Sequence, residues 1–275
     1  MAEPQFEAHE VFQCIEMEKT TTFILVEGKE VDVYDNALRG FLGVKGHPNL
    51  TWTVASGADK KTILNFRERT RAQNFFALLD KDFEVNPTAT NNIDYLSRYS
   101  IENFVFDEMV IRQTVARLFK VAGSSINLDI SELVGHYEES LTKLLWYLER
   151  YQLSDMEDKK VRWSEATILK KSCWTVQSDE VEKLIESISN DYPGVANETV
   201  AVVADVVKKF PAKMLVRGIY FYLKNVVMPP KFTSVFNNEK VFENALFWNI
   251  EHSLDFIDCL KNVIRFIVSR ENERQ

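Results

Sequence analysis

Two apolar runs, each closed by an acid, constrain this chain more than any other feature. Thr22-Phe23-Ile24-Leu25-Val26 runs into Glu27-Gly28, and Phe75-Phe76-Ala77-Leu78-Leu79 runs into Asp80-Lys81-Asp82. Neither run alternates polar with apolar. Each therefore reads as a strand buried on both faces, the condition of a parallel sheet covered by helices. Strands are expected over residues 20–28, 50–55, 74–83 and 94–99. The last of these alternates and belongs at an edge. Helices are expected over Glu30–Leu42 and Gly57–Gln73, with a loop from Gly43 to Asn49. The order predicts an α/β fold, a mostly parallel four-stranded sheet with flanking helices.

Beyond Ser100 the spacing turns helical: Asp107–Val121, Asp129–Leu153, Asp179–Ile188, Glu198–Phe210, Lys213–Met228 and Ser253–Arg270, with one short strand at Ala166–Leu169. A single boundary near Gly123-Ser124-Ser125 divides an α/β domain, 1–123, from a largely α-helical C-terminal region, 124–275. The charged residues Ser269 to Gln275 are expected to fray. The pairs Trp146-Tyr147 and Phe247-Trp248 read as core. Tyr220-Phe221-Tyr222 cannot all face inward from one helix, so part of that surface is expected to be open to a partner.

The net charge is −8, which gives no global pull toward nucleic acid. A local exception is the helix after the second strand, with Lys60, Lys61, Arg67, Arg69 and Arg71 against Asp59 and Glu68. Lys60 and Lys61 stand at its start and suit a phosphate backbone; a solvated outer face explains the same charges. Cys14, Cys173 and Cys259 lack metal-ligand spacing and read as reduced core thiols of a cytoplasmic protein. The polar, acidic start is no signal peptide, and no apolar run reaches the roughly 18 residues of a membrane span. His9, His47, His136 and His252 read as loop or surface residues without partners.

Three carboxylates at neighbouring strand ends repel one another unless a cation stands among them. In an extended segment Asp80 and Asp82 share a face while Lys81 points away, so both can reach one hard cation. Oxygen-only ligands favour Mg²⁺, with Mn²⁺ as a substitute. The plainer reading is that these acids cap turns. Glu102, in Ser100-Ile101-Glu102-Asn103, is either a further metal ligand or a helix-start acid. Around such a metal, Glu27 would take a proton from an attacking water.

Leu25-Val26-Glu27-Gly28-Lys29, Leu78-Leu79-Asp80-Lys81-Asp82-Phe83 and Tyr99-Ser100-Ile101-Glu102-Asn103 resemble the three signatures of a Toprim-like family long carried as a domain of unknown function. The resemblance covers about residues 20–106. A fainter one joins Lys213-Met214-Leu215-Val216-Arg217-Gly218 to a family segment before a late helix. It implies a Toprim-like fold, with Glu27 as the catalytic acid/base, Asp80 and Asp82 holding Mg²⁺, and Glu102 assisting. Lys213 or Arg217 would face the phosphate. The activity implied is cleavage of RNA, tRNA in particular, or of DNA. Such a nuclease would be the toxic effector of a bacterial anti-phage system, silenced by an ABC-type ATPase partner and active on release, in the form of a homodimer.

The chain departs from that pattern at Val31, where relatives carry an acid, with Asp32 one residue late. It departs again at Ile219, where a lysine is usual. These departures support an alternative, a catalytically inactive Toprim-like regulatory subunit. A phosphatase of the haloacid dehalogenase kind, with Asp80 as nucleophile, fits less well. Its Asp-x-Asp belongs near the first strand, Glu84 stands where that chemistry expects Thr or Val, and Glu27 would have no role.

Overall fold

A computed structural model describes residues 7–46, 50–84, 86–90, 92–123, 128–156, 158–196, 199–228 and 238–274. In chain order the elements are α1 (Ala8–Met17), β1 (Phe23–Val26), α2 (Val31–Val44), β2 (Thr53–Ser56), α3 (Lys60–Arg69), β3 (Phe75–Leu79), β4 (Ile93–Tyr95) and α4 (Glu108–Phe119). There follow α5 (Ser131–Leu153), α6 (Ser178–Asp191), α7 (Pro193–Ala196), α8 (Val206–Lys209), α9 (Val216–Tyr222), α10 (Glu239–Phe247) and α11 (Leu254–Asn272). The fold is mixed α/β, a four-stranded sheet with flanking helices and a C-terminal helical region. Among the described residues no helix is long and apolar enough to cross a membrane.

The chain forms two compact units. The first comprises 1–81, 86–97 and 250–275; the second comprises 82–85 and 98–249. Both are discontinuous, and the change of pattern near Gly123 falls inside the second. Ser124 and Ser125, His47, and Glu198 lie outside the described residues.

In the first unit the sheet order is β2-β1-β3-β4, and every neighbouring pair is parallel. β1 and β3 are buried at every position, as unalternated apolar strands between two helical layers must be. One face carries Phe23, Leu25, Phe75, Ala77, Leu79 and Ile93 against Val11 and Ile15 of α1 and Ile63 and Phe66 of α3. On the other face Phe76 packs on Phe266 of α11, with ring centroids 5.5 Å apart. The side chain of Asn74 donates to the carbonyls of Ile15, Glu18 and Thr21, fixing the end of α1 to the start of β3. β4 is shorter and earlier than the expected 94–99. Its ladder ends where Leu96 N–H donates to the Leu79 carbonyl, and it does lie at the edge.

Three other expectations are corrected in this unit. α1 was not foreseen; it is a short helix with only Val11 and Ile15 buried. The expected loop from Gly43 begins later, because α2 runs on to Val44. The expected fraying from Ser269 does not occur before Asn272. Arg270 donates to the Lys19 carbonyl at 3.0 Å and Arg274 to the Thr22 hydroxyl at 2.8 Å, so the charged end of α11 is tied to the connection into β1.

In the second unit α5 is a 23-residue helix with Leu133, Tyr137, Leu141, Leu144, Leu145, Trp146 and Leu148 buried. The helix expected over Glu198–Phe210 is reduced to α8, because Asp205 adopts a left-handed φ of 60° immediately before it. The strand expected at Ala166–Leu169 is only a bridge between Leu169 and Val176. α10 was not foreseen. Tyr220, Phe221 and Tyr222 are all buried, contrary to the expected open surface, because α9 buries every residue except the half-buried Arg217. Trp248, read as core, is 71% exposed. His136, read as a surface residue, is half-buried in α5, and its Nε2 accepts from the Val176 N–H at 2.9 Å.

Candidate functional site: the carboxyl edge of the sheet

Strand order reverses between β1 and β3: the chain leaves β1 toward β2 on one side and β3 toward β4 on the other. Open α/β sheets bind ligands at the carboxyl end of such a switch point. Glu27 and Asp80 are the first residues beyond β1 and β3. Both are half-buried.

Oε1 of Glu27 accepts a hydrogen bond from the Asp80 N–H at 2.8 Å. This bond spans the switch point. Around it the exits of β1 and β2 are tied together, Gly57 N–H donating to the Val26 carbonyl at 3.0 Å and Gly28 N–H to the Ala58 carbonyl at 3.2 Å. Gly28 has φ +72°, which turns the chain off β1 toward α2 at no side-chain cost. Ala58 carries φ +70°, an uncommon conformation for a residue with a side chain, held by those bonds and by its N–H to the Ser56 hydroxyl at 3.2 Å.

The remaining residues singled out in the sequence fall as follows. Lys60 is the half-buried first residue of α3, and its Nζ lies 5.6 Å from the centroid of the Tyr95 ring. Lys61 is exposed. The start of α3 is already capped: the Asp59 carboxylate accepts from the Thr62 N–H at 2.7 Å. That backbone bond, with the Thr62 hydroxyl and the Lys61 charge, holds the Asp59 carboxyl below its ordinary value. An external phosphate would have to compete with this carboxylate for the helix N-terminus.

Asp82 belongs to the second unit. β3 ends at Leu79, and Asp82 takes φ +52° in a turn, its N–H donating to the Tyr99 carbonyl at 2.8 Å. The backbone at Asp82 is therefore not extended. Glu102 is the second residue of a 3₁₀ turn, Ile101–Phe106, entered from Ser100, which is the helix-start arrangement. The buried centre of that motif is Asn103. Its Oδ1 accepts from both the N–H and the hydroxyl of Ser100, and its Nδ2 donates to the carbonyls of Val207 and Phe210 at 2.7 and 2.8 Å. The Ser-x-x-Asn spacing was the signal for it in the sequence. Val31 and Asp32 are the first two residues of α2. Arg217, in the second unit, donates to the carbonyls of Leu169 and Lys170 at 3.2 and 3.4 Å.

Among the described residues, no group of three or more His, Cys, Asp or Glu side chains converges closely enough to hold a metal ion. Glu27 is turned to a backbone amide, and Asp82 stands in a left-handed turn. No family model matches the chain, and no curated protein matches it.

Proposed function

We propose that this chain is a Toprim-like regulatory subunit whose acidic strand end is catalytically silent. The observation that carries this reading is the Glu27–Asp80 hydrogen bond across the switch point, which engages the expected catalytic acid in a structural bond to the neighbouring strand exit. Two features of the sequence point the same way: Val31 in place of an acid, and Ile219 in place of a lysine. In this role the chain engages an ABC-type ATPase partner in a bacterial anti-phage assembly, as the family resemblance implies.

A second reading, a Mg²⁺-dependent nuclease cutting RNA or DNA, is favoured by one observation. Glu27 and Asp80 end adjacent parallel strands at the edge where α/β enzymes place their ligands. It requires Glu27 to act through its second carboxylate oxygen, Oε2, or to leave the Asp80 amide.

One assay separates the two. The purified chain, alone and with any ABC-type ATPase encoded beside it, is incubated with tRNA, other RNA and DNA in Mg²⁺, Mn²⁺ or EDTA, beside Glu27→Ala. The silent reading expects no cleavage above the EDTA control in any combination, together with a stable complex with the ATPase. Metal-dependent cleavage that disappears in Glu27→Ala overturns it in favour of the nuclease.

A further inference from the structure

We propose that the ammonium of Lys60 is the built-in cation of this acidic strand end, so that a divalent metal binds there only by displacing it. The inference rests on the reading of the edge as closed by the chain's own groups, and it names the group that balances the charge.

All the strands are parallel, so α3, which follows β2, begins at the carboxyl edge. The backbone just before Lys60 is anchored beside Glu27, because the Ala58 carbonyl accepts from the Gly28 N–H. From there the side chain reaches Tyr95, the last residue of β4, at the opposite side of the sheet. β1 and β3 lie between β2 and β4. A lysine that starts after β2 and brings its Nζ to 5.6 Å from a ring rooted on β4 lies over the ends of β1 and β3, where Glu27 and Asp80 stand.

The face is also right. Tyr95 packs with Phe23, Leu25 and Leu79 on the α1/α3 side, and strand alternation carries Glu27 to that same side. None of Glu27, Lys60 and Asp80 is without further interactions.

A tethered ammonium has a high effective concentration and loses no translational freedom on pairing. It is also a point charge on a flexible stem, able to swing away when a stronger cation arrives. The metal affinity of the edge is thus set by what it costs to expel Lys60.

The test is Mn²⁺ titration of the full chain by calorimetry, with thermal melting in Mn²⁺ and in EDTA. It compares wild type, Lys60→Arg, Lys60→Met, Lys60→Gln and the pair Lys60→Met/Glu27→Gln. Removing the charge should tighten Mn²⁺ binding by about tenfold or more and add a Mn²⁺-dependent rise in Tm. Lys60→Arg should stay near wild type, and the gain should vanish in the double variant. Lys60→Gln stands in if Lys60→Met does not fold. Mn²⁺ affinity unchanged or weakened in folded charge-removing variants, or a gain that survives Glu27→Gln, overturns the proposal. Cleavage by wild type would defeat the silent reading but leave this one standing; unchanged Mn²⁺ affinity would do the reverse.

Discussion

Glu27 and Asp80, 53 residues apart in the chain, are joined by a carboxylate-to-amide hydrogen bond of 2.8 Å between the ends of two neighbouring strands. The bond satisfies a backbone donor at the point where the ladder of β1 and β3 stops. Glu27→Ala should leave that amide without its acceptor and cost about 1–2 kcal/mol, the range for a hydrogen bond to a charged group. Glu27→Gln keeps an acceptor at the same reach and should cost about half as much. Urea unfolding midpoints of the two variants check this; equal losses would mean that the bond does not hold the strand ends.

Gly218 and Tyr137 make a sharper steric test. A Cβ on Gly218 would overlap the Tyr137 hydroxyl, which is itself buried without a hydrogen-bond partner among the described residues. Gly218→Ala should destabilise by about 1–3 kcal/mol, as overpacking does. Tyr137→Phe should be neutral or stabilising, since it removes a buried hydroxyl with no bond to any described residue. Combined with Gly218→Ala, it should restore most of the loss. Additive costs in a double-mutant cycle would contradict the close approach.

His136 links stability to pH. Burial holds its imidazole below the ordinary 6.5, outweighing the pull of Glu139 in the other direction. Its Nε2 must also be unprotonated to accept from Val176. A group whose folded pKa is depressed contributes stability that is complete above the unfolded value and is lost as pH falls through the folded one. Unfolding free energy should therefore drop as pH is lowered from about 7 through 6.5 and below. That drop should be smaller in His136→Gln; an identical pH profile in the variant would contradict the assignment.

Cys173 and Cys259 should react at different rates. Burial pushes the Cys173 thiol up, but hydrogen bonds from the Thr175 hydroxyl and the Thr175 and Trp174 amides, with the Lys170 charge, bring it below its ordinary value. Burial keeps Cys259 above its own. Iodoacetamide at pH 8, followed by peptide mass spectrometry, should label Cys173 well before Cys259. The reverse order would refute the local picture of the 170–175 turn.

How much of this was legible in the sequence differs by element. β1 and β3 could be read because a strand covered on both faces has no polar positions to confuse its pattern. Glu27 and Asp80 could be placed for the same reason, since each stands where its apolar run stops. α1 and α10 bury only two residues each in their apolar stripes, too few to stand out against the surrounding polar sequence. The left-handed turn at Asp82 could not be read at all, because residue spacing does not report backbone handedness. The enclosure of Tyr220, Phe221 and Tyr222 was hidden because amphipathic reasoning assumes a broad solvent face, and α9 offers only Arg217. Lys60 was visible as a charge near the edge, but its reach to Tyr95 depends on the order of the strands.

The most direct test of a self-closed acidic edge is a crystal of the wild-type chain soaked in Mn²⁺, with anomalous scattering collected at the manganese edge. The account predicts no anomalous peak beside Glu27 and Asp80, with the Glu27–Asp80 bond intact and the Lys60 ammonium over the strand ends. A Mn²⁺ ion bound by both carboxylates, with Lys60 in its present place, would contradict it.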